Sequence, residues 1–439
     1  MNLKDLRNVI NIIDTKNIDE DIVFDYFRVV KLKEDKILKE KKSILFFPVY
    51  VSDEDRNGWY INSFDLRKKI TDIEKHNPNY IFVLEEDMIP LVSENCKYIL
   101  VDNIMTSVEK LGKYKLEQFN GKIITLTGSV GKTTTVGFIQ KALGDKCLRI
   151  YSKRITPLVL NCFIMNFLNN NYDYFAVEAS LWWKEHISYF SNYLKPDMAI
   201  ILNVFDEHIG VNEIKTVSDI TKFKSRLFEN AKIAMLNRTD KELQKISIKD
   251  GYVYYEDEKI LKTDVKEVID INEMNKKINP YIKTSLSMLQ ETIAFEVAKY
   301  YGIDEETILE RLKKSTPVEK RVNKKILNGK EVIFDGDVSG VARLKNFFNH
   351  FYDDAYLIIA SLTEGGEEEE EYSRLEPLFE KFDKVYINKN FKKYFKGNDI
   401  IYFDNMDFFK EIEDDAVIFL HFGGYYRKYD ELVMENLEV

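Results

Sequence analysis

The chemistry in this sequence is concentrated between residues 122 and 143. There the apolar run KIITLT leads into Gly128-Ser129-Val130-Gly131-Lys132-Thr133-Thr134-Thr135, and Val136, Ile139, Ala142 and Leu143 follow at helical spacing. Glycines in such a turn let backbone N–H groups face an anion, and the helix that follows adds positive partial charge at its N-terminus. Lys132 is placed to reach the outer phosphates of a nucleotide, and the Thr133 hydroxyl to ligate Mg2+. The strict spacing G-x-x-x-x-G-K-[ST] is not met, because Leu126 stands at its first glycine. A strand before the loop and a helix after it still make this a phosphate-binding loop rather than a glycine-rich turn with an exposed lysine.

A loop of this kind needs a sheet behind it. KIITLTG, DYFAVEAS, DMAIILNV and AKIAMLN are short continuous apolar runs ending in small or polar residues, the pattern of buried parallel strands. Ligands of such sheets sit at the carboxyl ends of the strands. Residues 1–115 carry their own runs, SILFFPVYV, YIFVLEED and KYILVD, and form an N-terminal α/β domain, with KLEQFNGK read as a linker. The central P-loop domain then covers 116–320 and closes with a pair of helices between Ser285 and Ser315, the first ended by Gly302. After Arg321, EVIFDG, AYLIIAS, DKVYIN, DIIYF and AVIFLHF alternate with helical stretches, giving a doubly wound, Rossmann-like third domain over 321–439. The fold class is therefore α/β in three domains, the number that 439 residues also favour.

Composition narrows the function. The net charge of −10 argues against a general nucleic-acid binder, and Lys392 and Lys393 in NFKKYF read as a solvated helix face. The charged N-terminus and the lack of a long apolar run predict a cytoplasmic protein without membrane insertion. Cys96, Cys147 and Cys162 are scattered and read as reduced thiols.

The shortened loop T-G-x-x-G-K-T-T, Thr127 to Thr134 here, resembles that of the Mur ligases, and further segments continue the resemblance in order. Val177-Glu178-Ala179-Ser180 is similar to the family strand whose glutamate holds magnesium. Asn203-Val204-Phe205-Asp206-Glu207-His208 resembles N-[IV]-x-x-[DE]-H. Phe223 to Phe228 carries Lys224, which by the resemblance becomes a carbamate that helps hold a second metal; the alternative is an amphipathic helix with Lys224 in water. Asn237 and Asp240 match residues near the nucleotide, Arg321 an interdomain arginine that contacts phosphate, and Asp335 the aspartate opening a C-terminal motif. With Glu178, His208 and a carbamylated Lys224 as hard or borderline ligands at strand ends or just beyond, and the Thr133 hydroxyl in the loop they face, metal ions could bridge ATP oxygens to an acyl phosphate.

What the resemblance implies is an ATP- and Mg2+-dependent, ADP-forming ligase. It would activate a carboxylate held by the N-terminal domain, such as a nucleotide-sugar substrate of cell-wall synthesis, as an acyl phosphate and couple it to an amine brought by the C-terminal domain, as a monomer. SLTEGGEEEE, from Ser361 to Glu370, is similar to a stretch of the branch that adds D-alanyl-D-alanine, and reads equally as an acidic helix N-terminus. Departures are also present. The adenine-side motif falls on Leu286, Ser287 and Gln290, and His421-Phe422-Gly423-Gly424 replaces K-G-S. Asp25-Tyr26-Phe27-Arg28 stands in for D-S-R of the UDP-sugar site. These departures leave open the same chemistry on a non-muramoyl carboxylate, or a nucleotide-binding scaffold that has lost ligation.

Overall fold

The computed structural model describes residues 1–30, 41–51, 64–150, 155–181, 183–206, 209–210, 214–248, 251–255, 267–278, 285–313, 323–327, 329–335, 341, 344–345, 348, 355–362 and 369–421. Three main sheets follow one another along the chain, and the architecture is α/β throughout.

The first sheet is built from β1 (Ile12–Lys16), β2 (Tyr26–Arg28), β3 (Ile44–Phe46), β6 (Tyr80–Leu84) and β7 (Tyr98–Val101), with β4 (Tyr50–Val51) and β5 (Phe64–Asp65) pairing as a separate ribbon. Its order is β1-β7-β6-β3-β2, parallel except for β1. Helices α1 (Leu3–Val9), α2 (Ile70–His76) and α3 (Ile104–Glu117) accompany it. Asn2 starts α1 with a reciprocal capping box, its side chain accepting from Asp5 N–H and Asp5 accepting in return. The expected linker begins later than its composition suggests. Lys115 to Glu117 form the last turn of α3, where Leu116 packs into the core, so only residues 118–121 connect the two sheets.

The central sheet is fully parallel, in the order β14-β13-β12-β11-β8-β10-β9. Its strands are β8 (Lys122–Thr127), β9 (Cys147–Arg149), β10 (Tyr174–Glu178), β11 (Met198–Ile201), β12 (Ile233–Asn237), β13 (Gly251–Tyr255) and β14 (Glu267–Asp270). One face is covered by α4 (Lys132–Leu143), α8 (Ile271–Ile278), α9 (Ser285–Tyr300) and α10 (Glu305–Lys313). Arg311 of α10 donates to the Ala142 carbonyl near the C-terminus of α4, satisfying a group the helix leaves open. The other face is covered by α5 (Pro157–Phe167), α6 (His186–Leu194) and α7 (Val217–Ser225).

That second face does not close on itself. A single buried apolar cluster runs from Leu3 through the first sheet and on to Ile248, joining the first two domains. At the seam, Asn166 of α5 pairs with the Phe27 backbone of β2 as a neighbouring strand would. It accepts from Phe27 N–H and donates to Phe27 O, both at 2.8 Å. Beside it α3 lies against α5 so closely that a Cβ on Gly112 would stand 1.9 Å from Asn161 Oδ1.

The third sheet, in the order β15-β16-β20-β17-β18-β19, opens with the antiparallel hairpin β15 (Asn323–Leu327) and β16 (Lys330–Asp335). The parallel strands β17 (Tyr356–Ile359), β18 (Lys384–Asn388), β19 (Ile400–Phe403) and β20 (Val417–His421) complete it. Val341, Leu344, Phe348 and the 3-10 run Glu369–Lys381 pack on one face, and Met406, Phe409 and Ile412 on the other, which is a doubly wound arrangement. EYSRLEPLFEKF is thus 3-10 rather than α, and it carries Pro377 inside it. Lys392 and Lys393 are exposed on a short 3-10 turn while Phe391 is buried, the solvated face expected.

Candidate active site

β8 lies between β10 and β11, so the loops leaving all three strands meet at one edge of the sheet. Gly131 makes the turn into α4 at φ 86°, a left-handed conformation that a Cβ would strain. Behind it the loop backbone is fastened from β11. Ser129 N–H donates to the Asn203 carbonyl at 3.1 Å, Val130 N–H donates to Asn203 Oδ1 at 2.9 Å, and Asn203 Nδ2 donates to Val130 O at 3.0 Å.

Lys132 curls back over the loop, its amine donating to the carbonyls of Gly128 at 2.6 Å and Ser129 at 3.0 Å. The Thr133 hydroxyl, in the first turn of α4, donates to Glu178 Oε2 at 2.7 Å. A lysine, a hydroxyl and a buried carboxylate from two elements thus converge at the helix N-terminus. Hydroxyl and carboxylate oxygens so placed suit a hard cation of the Mg2+ type. Among the described residues no group of three or more His, Cys, Asp and Glu gathers to hold a metal. His208 lies outside the described residues, as does Arg321.

Lys224, at the end of α7, has no solvent exposure, which rules out the solvated-lysine alternative. Its amine donates to Ser129 Oγ at 2.7 Å, and the same oxygen accepts from Phe205 N–H at 2.9 Å. Arg226, just beyond it, fixes this end of the helix by donating to Glu185 Oε2 and Ser188 Oγ of the α6 region.

Asn237 and Asp240 serve the loop edge. Asn237 is buried, donates to Leu202 O and accepts from the Thr239 backbone and hydroxyl. Asp240 accepts from the backbone N–H groups of Val204, Glu242 and Leu243. Burial pushes its carboxyl above the ordinary value, opposed by those three donors and by the charge of Lys224. Gln290 of α9 reaches the Gly131 carbonyl at 3.4 Å; the side chains of Leu286 and Ser287 lie outside the described residues. Asp335 ends β16 in register with buried His421 of β20, and its side chain too lies outside the described residues. Ser361 is buried, whereas 363–368 and Gly423 and Gly424 lie outside the described residues. Asn203 was legible only as one letter of a motif. Its work on the Val130 backbone depends on two strand ends coming together, which residue spacing does not reveal.

These features define a P-loop α/β domain set between two further α/β domains. Residues 126–297 match the description Mur ligase middle domain. Two similar proteins are UDP-N-acetylmuramoyl-tripeptide–D-alanyl-D-alanine ligases. The one from Rickettsia prowazekii is 27% identical over 159 residues, 35% of each chain. The one from Bacillus subtilis is 30% identical over 132 residues, 29% of this chain and 28% of the relative. Each of these two matches thus spans about a third of the relative's length. The crystal structure of MurF ligase from Thermotoga maritima in complex with ADP superimposes with a TM-score of 0.65 at 17% identity, covering 92% of this chain and 96% of that one. The central domain thus matches a Mur ligase middle domain, and the chain as a whole shares its fold with the three-domain Mur ligases.

Proposed function

We propose that the protein is an ATP-dependent, ADP-forming ligase that activates a carboxylate as an acyl phosphate and joins it to an amine. The observation that carries this reading is the convergence of Lys132, Thr133 and Glu178 at the N-terminus of α4, inside a Mur ligase middle domain. The names of the relatives favour a cell-wall peptide precursor as acceptor, and a cytoplasmic location goes with that reading; among the described residues no helix is long and apolar enough to cross a membrane.

The chemistry follows from what the residues can do. Loop N–H groups and the α4 N-terminus bind the phosphates, and Lys132, released from the Gly128 and Ser129 carbonyls, follows the charge that develops on the transferring phosphoryl group. Thr133 and Glu178 would hold magnesium, which supplies positive charge to the phosphate oxygens. The substrate carboxylate attacks the γ-phosphorus and ADP leaves. The amine then attacks the acyl carbon, and phosphate departs as the C–N bond forms. Lys224 and Ser129, buried under the loop, keep it in shape through these steps.

A second reading keeps the chemistry and changes the acid. Asp25-Tyr26-Phe27-Arg28 is committed to structure rather than to a sugar: Asp25 accepts from the Ser43 and Lys42 N–H groups, Phe27 is clasped by Asn166, and Arg28 donates to the Tyr80 hydroxyl. The test is mass spectrometry after incubation with Mg-ATP, UDP-muramoyl peptides and D-alanyl-D-alanine or mixed amino acids. An adduct formed together with ADP identifies a muramoyl ligase. ADP released only with another acid and amine selects the second reading, and no ADP with any pair refutes ligation.

A further inference from the structure

The P-loop lysine and threonine are supported from below by a residue with no assigned task. Asn203 follows β11, and its side chain forms a two-way pair with Val130, accepting from the N–H at 2.9 Å and donating to the C=O at 3.0 Å. Its own carbonyl accepts from Ser129 N–H at 3.1 Å. One residue therefore holds both the peptide before Val130 and the peptide after it, as an additional strand would, directly ahead of the left-handed Gly131.

The next residues extend the fastening. Val204 N–H is held by Asp240 Oδ2 at 2.7 Å, and Phe205 N–H by Ser129 Oγ, which Lys224 also reaches. Asn203 is buried, so its amide bonds are shielded from competing water. Leucine or alanine here would leave the Val130 N–H and C=O without their partners at a partly buried edge.

We infer that Asn203 is the positioning residue of the phosphate site. By fixing the peptide planes on either side of Val130 it sets the direction of the N–H groups of Gly131 and Lys132, which follow in the chain and receive the phosphates. The inference rests on the reading of this loop as a nucleotide site. It adds that the loop is pre-shaped from the end of β11, so nucleotide affinity depends on a residue that does not touch the nucleotide.

The experiment measures Mg-ADP affinity by calorimetry and backbone exchange of the 127–135 peptide by hydrogen–deuterium mass spectrometry, on the full chain. Asn203→Ala is expected to weaken Mg-ADP at least about tenfold, since a partly buried backbone donor and acceptor lose their partners together. Exchange should speed up within that peptide while peptides of the third sheet are unchanged. Asn203→Asp, nearly the same shape, keeps the acceptor for Val130 N–H and loses the donor to Val130 O. It should still fold if the alanine variant does not, and should again weaken Mg-ADP. Affinity equal to wild type in a folded Asn203 variant overturns the inference, as does weakened binding with the loop's exchange unchanged. Failure of the wild-type protein to bind Mg-ADP at all refutes instead the nucleotide-site reading beneath it.

Discussion

Replacing Gly112 with alanine tests the seam between the first two domains, and helix propensity alone predicts the opposite sign. Gly112 lies inside α3, where alanine is ordinarily better than glycine by about 1 kcal/mol. The added Cβ would stand 1.9 Å from Asn161 Oδ1 and 2.8 Å from the Tyr193 hydroxyl, distances that no pair of atoms can keep. The Asn161 amide is buried and engaged at both ends, donating to Pro157 O at 2.8 Å and accepting from Tyr193 at 2.5 Å. Moving it costs about 1–3 kcal/mol for the partners left unmatched, and crowding costs about another 1–3 kcal/mol. After subtracting the propensity gain, G112A should lower stability by about 1–5 kcal/mol. Equilibrium urea denaturation, followed by far-ultraviolet dichroism and by tryptophan emission, measures it. A variant as stable as wild type, or more stable, would refute the account of the seam. Asn161→Ala in the same background relieves the clash, so the double variant should lose less than the two single effects added together.

Three further outcomes are expected. Lys132→Ala should weaken Mg-ADP at least about tenfold in calorimetry, because a charge-assisted contact to phosphate is lost; unchanged affinity would remove the lysine from the phosphate site. Glu178→Gln should still accept from Thr133 yet raise the magnesium concentration needed for half-maximal ADP release, while an unchanged magnesium titration would place the metal elsewhere. Asp240 has a folded pKa raised above the ordinary 3.8, so it binds its proton more tightly folded than unfolded. Its contribution to stability is then fully present below 3.8 and is lost as pH rises through the raised value. Urea titrations of wild type and Asp240→Asn over that window should show the wild type losing stability relative to the variant, and a constant difference would refute the shift.

The central fold was legible because its strands are continuous apolar runs. A strand buried on both faces has to be written that way, and the loop at Gly128 follows at once. The edge strands were harder. β9, with three residues, and β15, rich in lysine, carry too little apolar signal to stand out, and β13 and β14 lie in a stretch of mixed composition. The meeting of Glu178 and Thr133 could be expected from order along the chain, since this strand end and this helix start both adjoin the loop at Gly128. The burial of Lys224 could not. A charged residue in FKSRLFEN reads as amphipathic, and only the packing of α7 under the loop takes its amine out of water. The seam was hidden for a similar reason. α5 is apolar almost all round, and its sequence does not say that one side belongs to another domain's strands.

The apolar cluster running unbroken from Leu3 to Ile248 bears on how this chain can be taken apart. Boundaries drawn along the sequence suggest exchangeable modules, with an acceptor-binding piece that could be traded for one of different specificity. Here the cut would pass through an interior. An excised central fragment would present the α5 surface, with Cys162, Asn166 and Phe167, to water, and a grafted N-terminal unit would have to supply a strand that meets the Asn166 amide at the depth of Phe27. Under the proposed function, with the acceptor held by the first domain, changes of acceptor should therefore come by substitutions within the first sheet, with its partners on α5 changing in step, rather than by recombination near residue 115.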